Sequence, residues 1–334
     1  MTDRLDFAFS DFKNLNSDIE PLFQNFKSKK IIITGADGFL GMWLVCLFEY
    51  LNRTREMDIQ IWLVDKSCDQ FGRISSKLET KYEFIQSKIE SLSSIPSDID
   101  FFIHAAGNPD ARDYLEDPIS CFSTNTCGAI NLVKLLKDNE SLKSFVLTSS
   151  GWLSKDSSHL ASNAGLRRYV ESKECAEKIF LAAADQIKLP LTIVRLFSYF
   201  GPFQKLSSPW VVNEFIRNAL VSRGLKLYGS GESKRALMYG ADLAVSVLRA
   251  LTIGQKSNVL EIGSSESLTI WELANKIAAN FNISSMEIAR SMIMNKGLID
   301  DFIPSNEFEK IQLRNPTDMN IALDRTIKWY REFE

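Results

Sequence analysis

Histidine is scarce in this 334-residue chain: His104 and His159 are the only two, which leaves few candidates for a mechanism built on a histidine base. The five cysteines (Cys46, Cys68, Cys121, Cys127, Cys175) are odd in number and show no Cys-x-x-Cys spacing, which argues against a disulfide framework and a zinc site. They read as reduced core or helix residues, and no metal is expected. Basic charge is not in surplus. The 39 Lys and Arg stand against 42 Asp and Glu, a net charge of -3, and no window gathers enough cations to attract nucleic acid. The apolar runs fall short of the roughly 18 residues that span a bilayer, and "MTDRLDFAFSDF" lacks a charged-then-apolar leader pattern. A cytoplasmic protein without a membrane partner is expected.

What the chain does have is 45% hydrophobic residues, enough for a large core. Residues 1–28 are polar with scattered Phe and read as an appended helical segment with a packing or oligomer role. From Lys30 onward, apolar runs such as "KIIIT", "IQIWLVD", "DIDFFIHAA", "KSFVLTSS" and "LPLTIVRLF" alternate with amphipathic helical stretches. Continuous apolar strands separated by helices predict a doubly wound α/β fold with a parallel sheet covered on both faces. The expected Rossmann unit covers 29–200. Residues 201–334 form a smaller, mostly helical substrate lobe, with helices over 211–223, 242–251 and 269–281 and a possible crossing back into the sheet.

"TGADGFLG" follows the first strand, with Gly35, Gly38 and Gly41 three apart. A turn of this kind needs glycine for tightness, for close approach of a phosphate and for close helix packing, and the helix N-terminus supplies unpaired N-H groups. Asp65 closes the second strand, where an acid can bind ribose hydroxyls and disfavour a 2′-phosphate. The two features together predict an NAD site.

"YVESK" places Tyr169 and Lys173 on one helical face. A lysine ammonium near a phenol is expected to lower a pKa that starts near ~10 and to make the tyrosine a usable base. The preceding strand ends "FVLTSS", so Ser149 or Ser150 sits at the carboxyl edge of the sheet, where a hydroxyl can share a substrate oxygen with Tyr169. His104 reads as a packing or backbone residue, and Arg195 as a structural arginine bonding loop carbonyls.

These motifs, in this order, resemble the extended short-chain dehydrogenase/reductase family and its nucleotide-sugar epimerase/dehydratase branch, from about Lys30 to Phe281. The resemblance implies cofactor contacts from Gly35, Asp37, Gly38, Phe39, Leu40 and Gly41, from Asp65, and from Ala105 and Ala106 in "HAAG". It implies Asn125 as a residue that helps position the lysine, and Ser150, Tyr169 and Lys173 as the catalytic set, with the last two also holding cofactor. "VRLFSYFGP" puts Ser198 where the family has a substrate-binding Asn, and "LYGSGESKRALMYGADLA" gives Arg235 the role of binding substrate phosphates. The implied chemistry is NAD-dependent modification of a nucleoside-diphosphate sugar through a 4-keto intermediate, in a homodimer packed through "AINLVKLL" and "KECAEKIFLAA".

One departure bears on the reaction. The family's 4,6-dehydratases follow the catalytic hydroxyl with an Asp-Glu pair, and its uronate decarboxylases place a Glu nearby. Gly151 and Trp152 stand there instead. Since elimination needs a positioned acid, an epimerase is the leading expectation. A 4-keto reductase, a dehydratase or decarboxylase with acids from elsewhere, and a non-catalytic NAD-binding sensor or scaffold are the alternatives.

Overall fold

The computed structural model describes residues 3–155, 163–222, 224–253, 258–284, 288–291, 301–305 and 312–334. Six strands follow the apolar runs: β1 (Lys30–Thr34), β2 (Gln60–Asp65), β3 (Tyr82–Gln86), β4 (Phe101–His104), β5 (Ser144–Ser150) and β6 (Leu191–Leu196). A seventh, Asn258–Ile262, lies beyond residue 200 and pairs in parallel with β6, so the chain crosses back into the sheet. The spatial order is β3-β2-β1-β4-β5-β6 and then the edge strand, with every pairing parallel. The direction of winding reverses between β1 and β4, the place where open α/β sheets bind ligands.

Alternation along the strands explains the two layers of core. Ile31 and Ile33 of β1 join one cluster with Leu63, Ile103 and Val146, whereas Ile32 joins the other with Phe102, Phe145 and Leu147. Successive side chains of a strand point to opposite faces, so a strand of this composition must be covered on both. Helices Phe39–Arg55 and Gly240–Ile253 cover the first face, and Pro118–Leu136 and Ala164–Ile187 the second.

Helix Phe39–Arg55 is buried at every position from Leu40 to Leu51, so the sheet covers only part of its apolar surface. Helix Arg4–Asn14 supplies cover on another side. Phe12 packs edge-on against Trp43 (5.7 Å), and Phe9 against Tyr50 (5.5 Å). Asp18 then anchors the segment from a fully buried position, accepting from Arg249 Nη2 (2.9 Å) and from the backbone N-H groups of Arg314 (2.8 Å) and Asn315 (3.3 Å).

Helices Val211–Ser222 and Ile270–Asn280 match two further expected stretches. The C-terminal helix Met319–Phe333 is an addition: its Trp329 packs edge-on against Phe7 at 5.5 Å. Among the described residues, no helix is long and apolar enough to cross a membrane.

Candidate active site

The turn after β1 is built for close approach. Gly35 has φ +73°, and a Cβ there would lie 2.6 Å from the Ala105 carbonyl carbon. A Cβ on Gly41 would overlap the Gly35 carbonyl oxygen. Gly38 is the N-cap of helix Phe39–Arg55, and no side chain caps that terminus, which leaves its N-H groups open to an anion. Asp65 closes β2 beside this turn. One carboxylate oxygen accepts from Asp37 N (3.0 Å) and the other from Ser67 N (3.2 Å), and the side chain remains partly exposed. A carboxylate has about four acceptor positions, so Asp65 has capacity left for ribose hydroxyls. The cradle and the acid fit the pyrophosphate and ribose of a dinucleotide.

Asp37 is turned to a different task. Its carboxylate accepts from Phe71 N (2.7 Å) and Ser67 Oγ (2.6 Å), tying the turn to the segment after β2. It organises the cradle from the side.

A cavity of about 380 Å³ opens from the glycine turn along the carboxyl ends of β1, β4, β5 and β6. Gly35, Gly38, Phe39, Leu40, Gly41, Ala105, Ser150, Tyr169, Lys173, Ser198 and Arg235 all line it. Asp37, Asp65, Ala106 and Asn125 stand outside its lining. The lining residues among those described include no carboxylate and no histidine. His159 lies outside the described residues.

Tyr169 and Lys173 project together from helix Ala164–Ile187 because they are four residues apart on it. Ser150 and Tyr169 line the cavity together, and Tyr114 packs edge-on against the Tyr169 ring at 5.5 Å. Lys173 is buried, and its Nζ donates to the Thr148 carbonyl (3.3 Å). Burial lowers the Lys173 pKa to about 8, while Glu177 pulls it upward. The phenol does not follow the sequence expectation: burial raises Tyr169 above its ordinary value, and the neighbouring Ser150 hydroxyl only moderates this. Desolvation of the phenolate outweighs the stabilisation expected from the lysine.

Asn125 reaches the lysine indirectly. Its amide donates to Tyr114 OH (2.9 Å) and Ser172 Oγ (2.9 Å), and Ser172 donates to the Tyr169 carbonyl (2.8 Å). A Cβ on Gly107 would lie 2.9 Å from Lys173 Nζ and 3.1 Å from Asn125 Oδ1, so all three crowd one point.

Glu177, one turn beyond Lys173, was not singled out from the sequence. It is 4% exposed, accepts from Ser149 Oγ, and forms a two-point pair with Arg195 (Nε 3.1 Å, Nη2 2.7 Å). Arg195 therefore bonds a carboxylate as well as the Leu153 carbonyl (3.5 Å). Extending the Tyr169–Lys173 stripe by four residues would have found Glu177, whereas nothing local marks Tyr114. His104 is held by Thr34 (Oγ1 to Nδ1, 2.7 Å), and burial lowers its pKa to about 3, so it is neutral and packed.

Comparison with known proteins agrees with this geometry. The family model described as "NAD dependent epimerase/dehydratase family" matches residues 31–263. A UDP-N-acetyl-alpha-D-glucosaminuronate decarboxylase of Bacillus cytotoxicus is 26% identical over 92% of this chain and 99% of its own length. A UDP-glucuronic acid decarboxylase 1 of Xenopus tropicalis is 26% identical over 75% of this chain, and the match spans only 59% of that relative. The fold is similar to that of a UDP-N-acetylglucosamine 4-epimerase of Methanobrevibacter ruminantium, with a TM-score of 0.78, 19% identity and coverage of 92% and 100% of the two chains. The family match covers most of the sheet and the whole glycine turn, and on that basis the chain belongs to the NAD dependent epimerase/dehydratase family, with NAD as its cofactor.

Proposed function

We propose that the protein is a nucleotide-sugar epimerase, acting on a nucleoside-diphosphate sugar through a 4-keto intermediate. The observation that carries this reading is a cavity joining the glycine turn to Ser150, Tyr169 and Lys173 with no carboxylate among its described lining residues. Oxidation and reduction at one ring carbon need a base, a hydroxyl partner and a hydride acceptor. Elimination and decarboxylation in this family use an additional acid, and Trp152 occupies that place.

Bound NAD would supply reversible hydride acceptance. The Tyr169 oxygen would take the proton of the sugar hydroxyl, and Ser150 would hydrogen-bond the oxygen left behind. Lys173 would bind cofactor ribose while its charge favours proton loss from Tyr169. Gly35, Gly38 and Gly41, with the open N-terminus of helix Phe39–Arg55, would hold the pyrophosphate, and Asp65 the adenosine ribose. Arg235, on the cavity wall, would bind the substrate phosphates. A keto sugar turned over in the cavity would present its opposite face to the same residues and cofactor site, so an epimerisation would consume no cofactor in net.

The assembly is read as a homodimer through helices Pro118–Leu136 and Ala164–Ile187, on whose surface Ile119 and Ile130 stand 79% and 45% exposed.

The test is incubation of purified protein and NAD with UDP- and dTDP-sugars, followed by NMR. Interconversion of a pair of epimers with no net NADH is expected. A 4-keto-6-deoxy product from a sugar that carries a 6-hydroxyl, released carbon dioxide, or stoichiometric consumption of NADH with a keto sugar would each overturn the epimerase reading.

A further inference from the structure

Trp152 follows Ser150 by two residues, and its backbone N-H donates to the Ser150 hydroxyl (3.3 Å). This places the indole's attachment next to a hydroxyl of the catalytic set. The ring stacks on Phe302 with centroids 4.4 Å apart and planes at 21°, and Phe302 packs on Phe197 at 4.7 Å. There is no slack beneath the wall, since a Cβ on Gly151 would come within 2.7 Å of the Phe197 ring. Phe302 is buried, and its segment is tied down on both sides. Phe302 N donates to the Lys234 carbonyl (2.9 Å), Ala236 N to the Phe302 carbonyl (3.2 Å), and Lys155 Nζ to the Ile303 carbonyl (2.6 Å).

All three aromatic rings line the cavity. Lys173 and Arg235 are the only cations on its described lining, and both have tasks in the proposed reaction, with cofactor ribose and substrate phosphates. Lys155 Nζ lies 5.6 Å from the Phe197 ring centroid but outside the described lining, where it donates to the Ile303 carbonyl. A carboxylate buried against the stacked aromatic faces would carry a desolvation cost that no cation of the lining is placed to offset, and a hydroxymethyl would lose hydrogen bonds to water. A methyl group there loses nothing and gains apolar contact.

We propose that Trp152, Phe302 and Phe197 form a specificity wall, and that the sugar accepted is a deoxy sugar presenting a methyl group to it in place of a hydroxymethyl or carboxylate. The proposal rests on the nucleotide-sugar reading above and narrows it to one substrate class.

The test is calorimetric binding of matched UDP- and dTDP-linked glucuronic acid, glucose and 6-deoxyglucose to the NAD-loaded protein, with free UDP, free dTDP and NAD as controls. On hydrophobic-pocket discrimination, the deoxy sugar is expected to bind at least about tenfold more tightly than the uronate and about threefold more tightly than glucose. Trp152→Ala is expected to bring both ratios to within about twofold of unity while leaving free-nucleotide affinity unchanged. Phe302→Leu reads the same ratios if Trp152→Ala does not fold. A uronate bound as tightly as the deoxy sugar, or ratios unchanged in a folded variant, would overturn the wall while leaving the nucleotide-sugar reading intact. Failure of the wild-type protein to bind NAD and either nucleotide would overturn that reading and the wall together.

Discussion

Tyr169, Lys173 and Glu177 recur every four residues along one helix, and what each can do depends on its neighbours. Lys173 has a folded pKa of about 8 against an ordinary 10.5. Between those values the folded protein binds fewer protons than the unfolded chain, so this residue costs stability at neutral pH and the cost falls as pH rises from 8 to 10.5. Lys173→Met is therefore expected to raise the urea midpoint at pH 7 more than at pH 10, while turnover falls by about 10²-fold or more. Glu177 makes the opposite kind of contribution. Removing Glu177 takes the acceptor from the buried Ser149 hydroxyl and leaves the half-buried Arg195 with only the Leu153 carbonyl and the Ser154 hydroxyl, so Glu177→Ala should destabilise by about 1 to 3 kcal/mol in denaturant titration. Tyr169→Phe removes the proton-transfer group, so turnover, followed by NMR of the sugar nucleotide, should fall by about 10² to 10⁴-fold.

At the scale of elements, helix Phe39–Arg55 explains the N-terminal segment. An apolar run such as "FLGMWLVCLFEYL" cannot be covered by a sheet on one side alone, and residues 3–28 complete its burial through Phe9, Phe12 and Phe26. Phe12 is fully buried, so Phe12→Ala should cost about 3 to 5 kcal/mol, read from the urea midpoint. A chain beginning at Lys29 should expose the Trp43–Tyr50 side of this helix and bind a hydrophobic dye that the full chain does not. The glycine turn at the same helix's start requires those glycines for a local reason: the Gly35 backbone conformation and the contacts facing Gly35 and Gly41 leave no space for a side chain.

For the molecule as a whole, Asp242 links distant parts of the chain through Thr317, whose N-H and hydroxyl donate to it at 3.0 and 2.8 Å. Burial raises its pKa to about 7, with Asp11 and Asp18 adding repulsion, against an ordinary value of 3.8. The folded protein holds this proton where the unfolded chain has released it. The resulting stability is present below pH 3.8 and is lost as pH rises through 7. The gap in melting temperature between the wild-type protein and Asp242→Asn should therefore shift between pH 4 and 8, with the wild type losing ground as pH rises.

Local chemistry along the chain determined the parallel sheet, the glycine turn, Asp65 and the Tyr169–Lys173 face, because strand alternation, helical spacing and backbone freedom are set by near neighbours. Only the tertiary structure decided the rest. The edge strand Asn258–Ile262 finds β6 across more than 60 residues, Phe302 meets Trp152 across 150, and Tyr114 reaches Asn125 and Tyr169 from a short helix with no motif of its own. The raised Tyr169 and lowered Lys173 belong to the same class: spacing put them on one face, but desolvation, which depends on everything packed around them, set their protonation.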